Sequence, residues 1–164
     1  MNLYPYLLQA HSTMRYLILL VLIVALMRYT VGHITKRPFN SFDNTTGSLL
    51  LGLVHLQLIL GIVLYFKSPI VTTALQDMSA AMQDDTLRFF AVEHATIMLA
   101  AVISITVGRV TSKRAKLDEL KYRRALIGFS IGFVLIVAGI PWDKFISDVQ
   151  NGTLFDFNLG GGML

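Results

Sequence analysis

Three histidines lie inside stretches of this sequence that are otherwise strongly apolar: His11, His55 and His94. An ionisable side chain at membrane depth is costly, so it usually has a partner and often has a function. The chain has no cysteine, which leaves imidazole as its one strong ligand for a soft or borderline metal. The spacing of these histidines therefore raises the question of what they bind together.

The apolar stretches around the histidines have the length of membrane-spanning helices. The 164 residues are 54% hydrophobic and only 15% charged, whereas soluble domains average about 25% charged residues. A helix needs about 20 residues to cross roughly 30 Å of hydrocarbon. Four apolar runs of about that length occur, at 6–28, 48–66, 89–108 and 125–142. The sequence predicts an all-α fold, an integral membrane four-helix up-down bundle over 1–142, followed by a tail over 143–164.

The basic residues indicate how this bundle is oriented in the membrane. Two of the connecting segments, the first and the third, hold most of the lysines and arginines: Arg28, Lys36, Arg37, Arg109, Lys113, Arg114, Lys116, Lys121, Arg123 and Arg124. The positive-inside rule places both segments on the cytoplasmic side and both termini on the outer side. Because this placement accounts for the net charge of +4, we expect a lipid bilayer and no nucleic acid as partner.

Aromatic residues near the ends of the runs are typical of interface anchors. We expect Tyr29 and Tyr122 at the inner interface and Trp142 at the outer one. The outer loop between the second and third runs is long enough for a short surface helix, which we place at Ala74–Met82. The tail is too apolar to be solvated, so we expect it to pack on the outer face or on a neighbouring protein.

Depth separates the three histidines. Counted from the outer helix ends, His11 and His94 lie about 7–8 Å below the boundary and His55 about 16 Å below it. Arg15 and Glu93 fall in the same layer as the first pair. Since a charge at this depth is costly, we expect Arg15 and Glu93 to form an ion pair.

A haem b inside a helix bundle needs two axial ligands at similar height on facing helices. The first and third helices lie diagonally across an up-down bundle, so His11 with His94 is the favoured pair. His55 with His94 is the second choice, and Met98 is a third candidate ligand. Three histidines allow one haem per chain.

Neighbouring residues suit a porphyrin. Gly52, three residues before His55, would let a flat ring approach closely. Arg15 and Arg88 are candidates to neutralise the haem propionates.

Short motifs add a resemblance to a known group. The motifs are His11-Ser12-x-x-Arg15, His55-Leu56-Gln57, Glu93-His94 and Gly139-Ile140-Pro141-Trp142. Over residues 3–142 the chain resembles small bacterial four-helix membrane proteins labelled cytochrome b. The resemblance implies a b-type haem carried by these histidines and a role in membrane electron transfer, and a bacterial inner membrane with periplasmic termini.

A haem protein of this size would exchange electrons with a quinone or with a partner subunit. The sequence shows no nucleotide-binding loop and no soluble catalytic domain, so at most we expect an electron-transfer or quinol-oxidising subunit. Glu93, beside His94 and near the outer boundary, is the candidate catalytic residue that would accept a proton from a quinol.

Two other functions stay open at this point. The chain could be a non-catalytic subunit of a larger membrane complex or a homodimer, with its histidines bonded across helices. It could also handle copper or zinc through His11, His94 and methionines.

Overall fold

A computed structural model describes residues 3–151 of the chain, and these residues form helices and no strands. The helices are α1 (Tyr4–Ile34), α2 (Ser41–Lys67), α3 (Pro69–Gln76), α4 (Met78–Ala81), α5 (Asp85–Lys113), α6 (Asp118–Ala138) and α7 (Trp142–Gln150). Within α5, the turn Phe89–Glu93 is π-helical. The predicted all-α class is therefore confirmed.

Local capping signals set several of the helix ends. Before α2, Asn40 and Asp43 form a reciprocal capping box, in which each side chain accepts a hydrogen bond from the other's backbone N–H. The Ser68 side chain caps α3, and Pro69 occupies the first helical position, where its missing N–H is not needed. At the other end of the chain, α6 stops at Ala138, just before Pro141.

The four long helices pack against one another in a closed order. Helix α1 contacts α2, α2 contacts α5, α5 contacts α6 most extensively, and α6 returns to α1. Helices α1 and α5 therefore lie diagonally across the shared core. The buried apolar residues of this core are Ile18, Leu22, Ala25, Tyr29, Leu50, Val54, Ala101, Ile105, Tyr122, Ala125, Phe129 and Ile136.

Within residues 3–151, three helices are long and apolar enough to cross a membrane: α1, α2 and α5. Their outward faces carry large exposed apolar side chains, such as Leu20, Ile59 and Val107. A surface of this kind is unfavourable in water and favourable in lipid. Helix α6 carries charged residues through its first two turns, so its apolar part is shorter. The chain therefore fits a membrane protein.

Glycines bring α5 and α6 into backbone contact. A Cβ atom added at Gly128 would lie 2.5 Å from the Gly108 Cα and 2.6 Å from the Ser104 carbonyl oxygen. The Ser104 hydroxyl donates a 3.0 Å hydrogen bond to the Gly128 carbonyl at the same crossing. Small residues at this point let the two helices approach more closely than any side chain would allow.

The interpretation of Tyr29 and Tyr122 as interface anchors is wrong. Both rings are buried in the core and stack edge to face, with centroids 5.7 Å apart. The Tyr29 hydroxyl donates to the Asp43 carbonyl and the Tyr122 hydroxyl to the Asp43 carboxylate. A buried acceptor on α2 therefore draws both hydroxyls inward, which a rule based on position along the helix does not anticipate.

The outer loop and the chain end differ from expectation in detail. Two short helices, α3 and α4, occupy the loop where one was predicted. Helix α7 begins the predicted tail, and its Phe145 ring packs 6.3 Å from Tyr16 on α1. The rest of the predicted tail, 152–164, lies outside the described residues.

Candidate functional site

His11 on α1 and His94 on α5 meet across the core. Their imidazole centroids are 6.5 Å apart, and the ring planes are inclined by 64°. The two residues come from helices that are diagonal in the packing order, so the pair spans the core rather than one helix–helix seam. The structure therefore brings together the two histidines that the sequence matched in depth.

The position of His94 is fixed by a backbone carbonyl from α6. Its Nδ1 lies 2.8 Å from the Gly139 oxygen. A carbonyl oxygen only accepts, so Nδ1 must carry the proton and donate it. The neutral ring then keeps a lone pair on Nε2, which is the arrangement found in most metal-ligating histidines.

The segment before His94 is unusual in its backbone. The π-helical turn ends at Glu93, and the His94 N–H bonds back to the Phe89 carbonyl, five residues earlier. The Tyr65 hydroxyl donates a 2.9 Å hydrogen bond to the Ala91 carbonyl within this turn. Single π-helical turns inside α-helices occur frequently at functional sites.

Gly139 lies close to two side chains of α5. A Cβ added there would meet the Met98 methyl group and would lie 3.0 Å from the Ile97 Cγ2. Glycine thus lets the end of α6 reach α5 at the level where His94 needs an acceptor. Met98, a candidate ligand, instead packs against this glycine.

His11 is held from the side of α2. The Gln57 side-chain amide donates a 2.9 Å hydrogen bond to the His11 carbonyl. A Cβ added at Gly61 would lie 3.3 Å from the His11 ring, so the imidazole packs closely on this glycine. Among the described residues, the buried His11 Nδ1 has no hydrogen-bond partner. One buried ring nitrogen is therefore unused at the site.

His55 and Gly52 lie away from this pair. The His55 side chain is exposed on the face of α2 that points away from the other helices. There its Nδ1 lies 2.7 Å from the Leu51 carbonyl oxygen of the same helix. A Cβ added at Gly52 would meet nothing within 4 Å. The structure does not bring either residue together with His11 or His94.

The predicted ion pair between Arg15 and Glu93 is wrong. Glu93 pairs with Arg88 at 2.7 Å, and Arg88 also pairs with Asp85 at 2.7 Å. The π-helical turn explains the partner, because it brings residues five apart onto one side of the helix. Arg15 instead donates to the neighbouring Tyr16 hydroxyl at 3.0 Å.

Arg15 nevertheless stays close to the histidine layer. It follows His11 by one helical turn and lies over the Phe145 ring, 6.0 Å from its centroid. Its buried Nε has no hydrogen-bond partner among residues 3–151. In the same residues, no three histidine, cysteine or acidic side chains gather in a way that could hold a metal ion.

A second polar region, which sequence reasoning missed, lies at the opposite end of the helices. The fully buried Asp43 carboxylate accepts hydrogen bonds from Arg28, Arg37 and Tyr122. The hydrogen bond to Asp43 raises the pKa of Arg37, and burial, followed by the same carboxylate, raises the pKa of Tyr122. The one signal in the sequence is the Asn40-x-x-Asp43 capping box.

No family model matches this chain, and no curated protein or solved structure matches it either. The resemblance to bacterial proteins labelled cytochrome b therefore depends on the sequence motifs alone.

Proposed function

We propose that this chain is a b-type haem protein of the membrane, in which His11 and His94 would hold the haem iron and which carries electrons to or from a quinone or a respiratory partner. The observation that supports the proposal is the meeting of two imidazoles from diagonal helices. A bound b-type haem supplies reversible one-electron transfer.

The separation of the rings fits ligation of one iron. With metal–nitrogen bonds of about 2 Å, two imidazoles that bind one metal have centroids at most roughly 6 Å apart. The His11 and His94 centroids are 6.5 Å apart. The observed separation is therefore close to that of two imidazoles that share one metal ion.

The surroundings of the pair support the same assignment. The carbonyl of Gly139 holds the His94 tautomer that leaves Nε2 free. The rings of Phe89 and Phe90 pack beside His94, with centroids at 5.8 and 6.3 Å, and provide apolar walls. Arg15, whose buried Nε has no hydrogen-bond partner in the part of the chain that the structure describes, is the cation that we assign to a haem propionate. Arg88 is already paired with two carboxylates, so it is less suited to that role.

We further propose that α6 is a fourth membrane crossing, which completes a four-helix bundle with both termini on the outer side. Its apolar part, from Ala125 to Ala138, has 14 residues and spans about 21 Å. Arg123 and Arg124 can extend their charged groups toward the interface and lengthen the usable span. The histidine pair then lies near the outer surface, where a quinone or an extracytoplasmic partner can approach.

An optical spectrum tests the haem assignment. The purified chain is expected to show reduced b-type bands after dithionite, and a pyridine haemochrome assay is expected to give one haem per chain. His94→Ala and His11→Ala should each lose these bands. His55→Ala is the matched control and should keep them, because His55 faces away from the pair. A colourless purified wild-type chain, after expression with ample haem, would contradict the proposal.

Single cysteines test the topology cleanly, because the natural chain has none. Asp77→Cys and Ser147→Cys should both react with an impermeant maleimide applied from outside, and Lys36→Cys should be protected. Labelling of Asp77→Cys without Ser147→Cys would contradict a fourth crossing.

A second function, as a non-catalytic subunit of a membrane complex or homodimer, is favoured by one observation. His55 is exposed in the middle of α2, although polar residues at that depth usually face protein. A helix of a neighbouring protein that packs on this face could form a hydrogen bond with the His55 Nε2. His55→Leu should then release a copurifying partner or dissociate a dimer, while leaving any haem spectrum unchanged.

A further inference from the structure

A polar cavity lies at the end of the helices opposite to the histidine pair. Its volume is about 290 Å³, and it is lined by Phe39, Asn40, Ser41, Asn44, Arg109, Lys113 and Lys121. These residues come from the start of α2, the end of α5 and the start of α6. The cavity therefore lies where the two basic connecting segments converge.

Arg109 is the buried cation of this cavity, with 2% of its surface exposed. One terminal nitrogen, Nη2, donates to the Asn44 side chain and carbonyl and to the Ser48 hydroxyl. The other terminal nitrogen, Nη1, is buried and has no hydrogen-bond partner within residues 3–151. The acceptors of this buried guanidinium are neutral oxygens, so its positive charge is not balanced by a negative one. A buried unbalanced charge is unfavourable, and binding of an anion would relieve it.

The carboxylates near the cavity are already paired. Asp43 is shared by Arg28 and Arg37, at 2.9 and 2.7 Å. Asp118 pairs with Lys121 at 2.7 Å. Within the described part of the chain, no carboxylate forms an ion pair with Arg109 or with Lys113. The cavity therefore retains positive charge.

The neutral groups that line the cavity also offer donors. The Asn44 side-chain oxygen accepts from Arg109, and the Asn40 side-chain oxygen accepts from the Asp43 N–H. Each carboxamide therefore keeps its NH₂ group for another acceptor. Ser41 begins α2, where the backbone N–H groups of the first turn favour negative charge. Cations and amide donors that have no acceptor among residues 3–151 therefore line this cavity, as expected of a site for an oxyanion.

We propose that this cavity binds a phosphoryl group, with the Arg109 guanidinium and the Lys113 ammonium as its charged contacts. The planar guanidinium suits the tetrahedral oxygens of a phosphate, and the lysine adds a point charge at the rim. The phosphoryl group can belong to an anionic lipid headgroup, because basic pockets at helix ends on the membrane surface bind such lipids. A soluble phosphate presents the same chemistry.

Two arms of one experiment distinguish these sources. In the first arm, the full chain in phosphatidylcholine nanodiscs is titrated with inorganic phosphate, and the shift of its thermal midpoint is recorded. In the second arm, native mass spectrometry measures how much phosphatidylglycerol the chain retains from mixed phosphatidylglycerol and phosphatidylcholine vesicles. Stabilisation by phosphate identifies a soluble ligand, and selective retention of phosphatidylglycerol identifies a lipid.

A pair of lysine variants tests the location. Lys113→Gln removes a charge from the cavity wall, whereas Lys116→Gln removes one from the exposed segment between α5 and α6, outside the cavity. Lys113→Gln should weaken the observed binding about fivefold, and Lys116→Gln by less than about twofold. Both lysines are exposed, so neither variant should disturb folding, whereas replacing the buried Arg109 could.

Either arm supports the proposal when Lys113→Gln weakens binding more than Lys116→Gln. The proposal is overturned if the wild-type chain shows neither saturable stabilisation by phosphate nor preference for phosphatidylglycerol. It is equally overturned if the two variants behave alike, because a diffuse basic surface would explain that result. These readouts do not involve haem, so they are independent of the function proposed above.

Discussion

The two polar regions of this protein treat their buried groups differently. The Asp43 carboxylate accepts hydrogen bonds from two arginines, a tyrosine and a backbone N–H. At the other end of the helices, the buried Nδ1 of His11 has no partner among the described residues. A saturated buried charge joins helices together, whereas an unused buried nitrogen leaves a bonding position free. The comparison therefore separates the structural network around Asp43 from the candidate haem site at the histidine pair.

The largest effect is expected where the saturated network is broken. Asp43→Asn removes the shared charge and leaves Arg28 and Arg37 without a carboxylate. We expect a loss of about 3 kcal/mol in the free energy of unfolding, at the low end for a buried pair because both arginines are partly exposed. Glu119→Gln, a charge removal at an exposed site, is the control and should change stability little. Denaturant unfolding in detergent measures both.

The same variant tests whether the two ends of the molecule are coupled. If Asp43 is purely structural, a haem-loaded Asp43→Asn chain should keep the wild-type spectrum at temperatures where it stays folded. A changed spectrum under those conditions would mean that the two regions are coupled.

Replacing the carboxylates around Arg88 separates structure from chemistry at the outer end. Both Glu93 and Asp85 pair with Arg88, but only Glu93 adjoins His94. If Glu93 accepts a proton from a quinol, Glu93→Gln should slow quinol-driven haem reduction about 100-fold. Asp85→Asn is the matched control and should leave the rate unchanged. Stopped-flow absorbance measures the rates. Equal rates in the two variants would contradict the role of Glu93 as proton acceptor and would show that it only pairs with Arg88.

A smaller effect is expected from widening the closest helix crossing. Gly128→Ala places a methyl group against the backbone of α5, which cannot move aside, so α5 and α6 must separate. We expect a loss of about 1–3 kcal/mol in the free energy of unfolding. Gly52→Ala is the counterpart on an open helix face, and it should be neutral or stabilising by up to about 1 kcal/mol. Similar losses in both variants would contradict this packing.

The smallest effect concerns the turn that precedes His94. Tyr65→Phe removes the hydroxyl that donates to the Ala91 carbonyl in the π-helical turn. We expect a loss of about 1 kcal/mol in stability, together with a shift in the haem bands if the turn helps to position His94. Tyr6→Phe, on an exposed tyrosine, is the control. Unchanged haem bands in Tyr65→Phe would show that the position of His94 does not depend on this hydrogen bond.

The sequence predicted best those features that depend on a single helix. Runs of apolar residues predicted helices, because a backbone in lipid must satisfy its own hydrogen bonds. The helical rise was enough to match His11 with His94 in depth, and the structure places their rings 6.5 Å apart. It could not tell that His55, with an equally apolar sequence around it, faces outward.

Residue order along each helix is enough to predict the helical content, the apolar faces, the charge asymmetry and the distance of each polar residue from its helix end. Which polar groups meet depends instead on how the helices pack. Arg88 rather than Arg15 reaches Glu93, Gly139 supplies the acceptor for His94, and Asp43 draws Tyr122 into the core. These pairings depend on the rotation of each helix about its axis and on how closely its neighbours approach. Contacts distant in sequence fix both quantities, so no local pattern carries them.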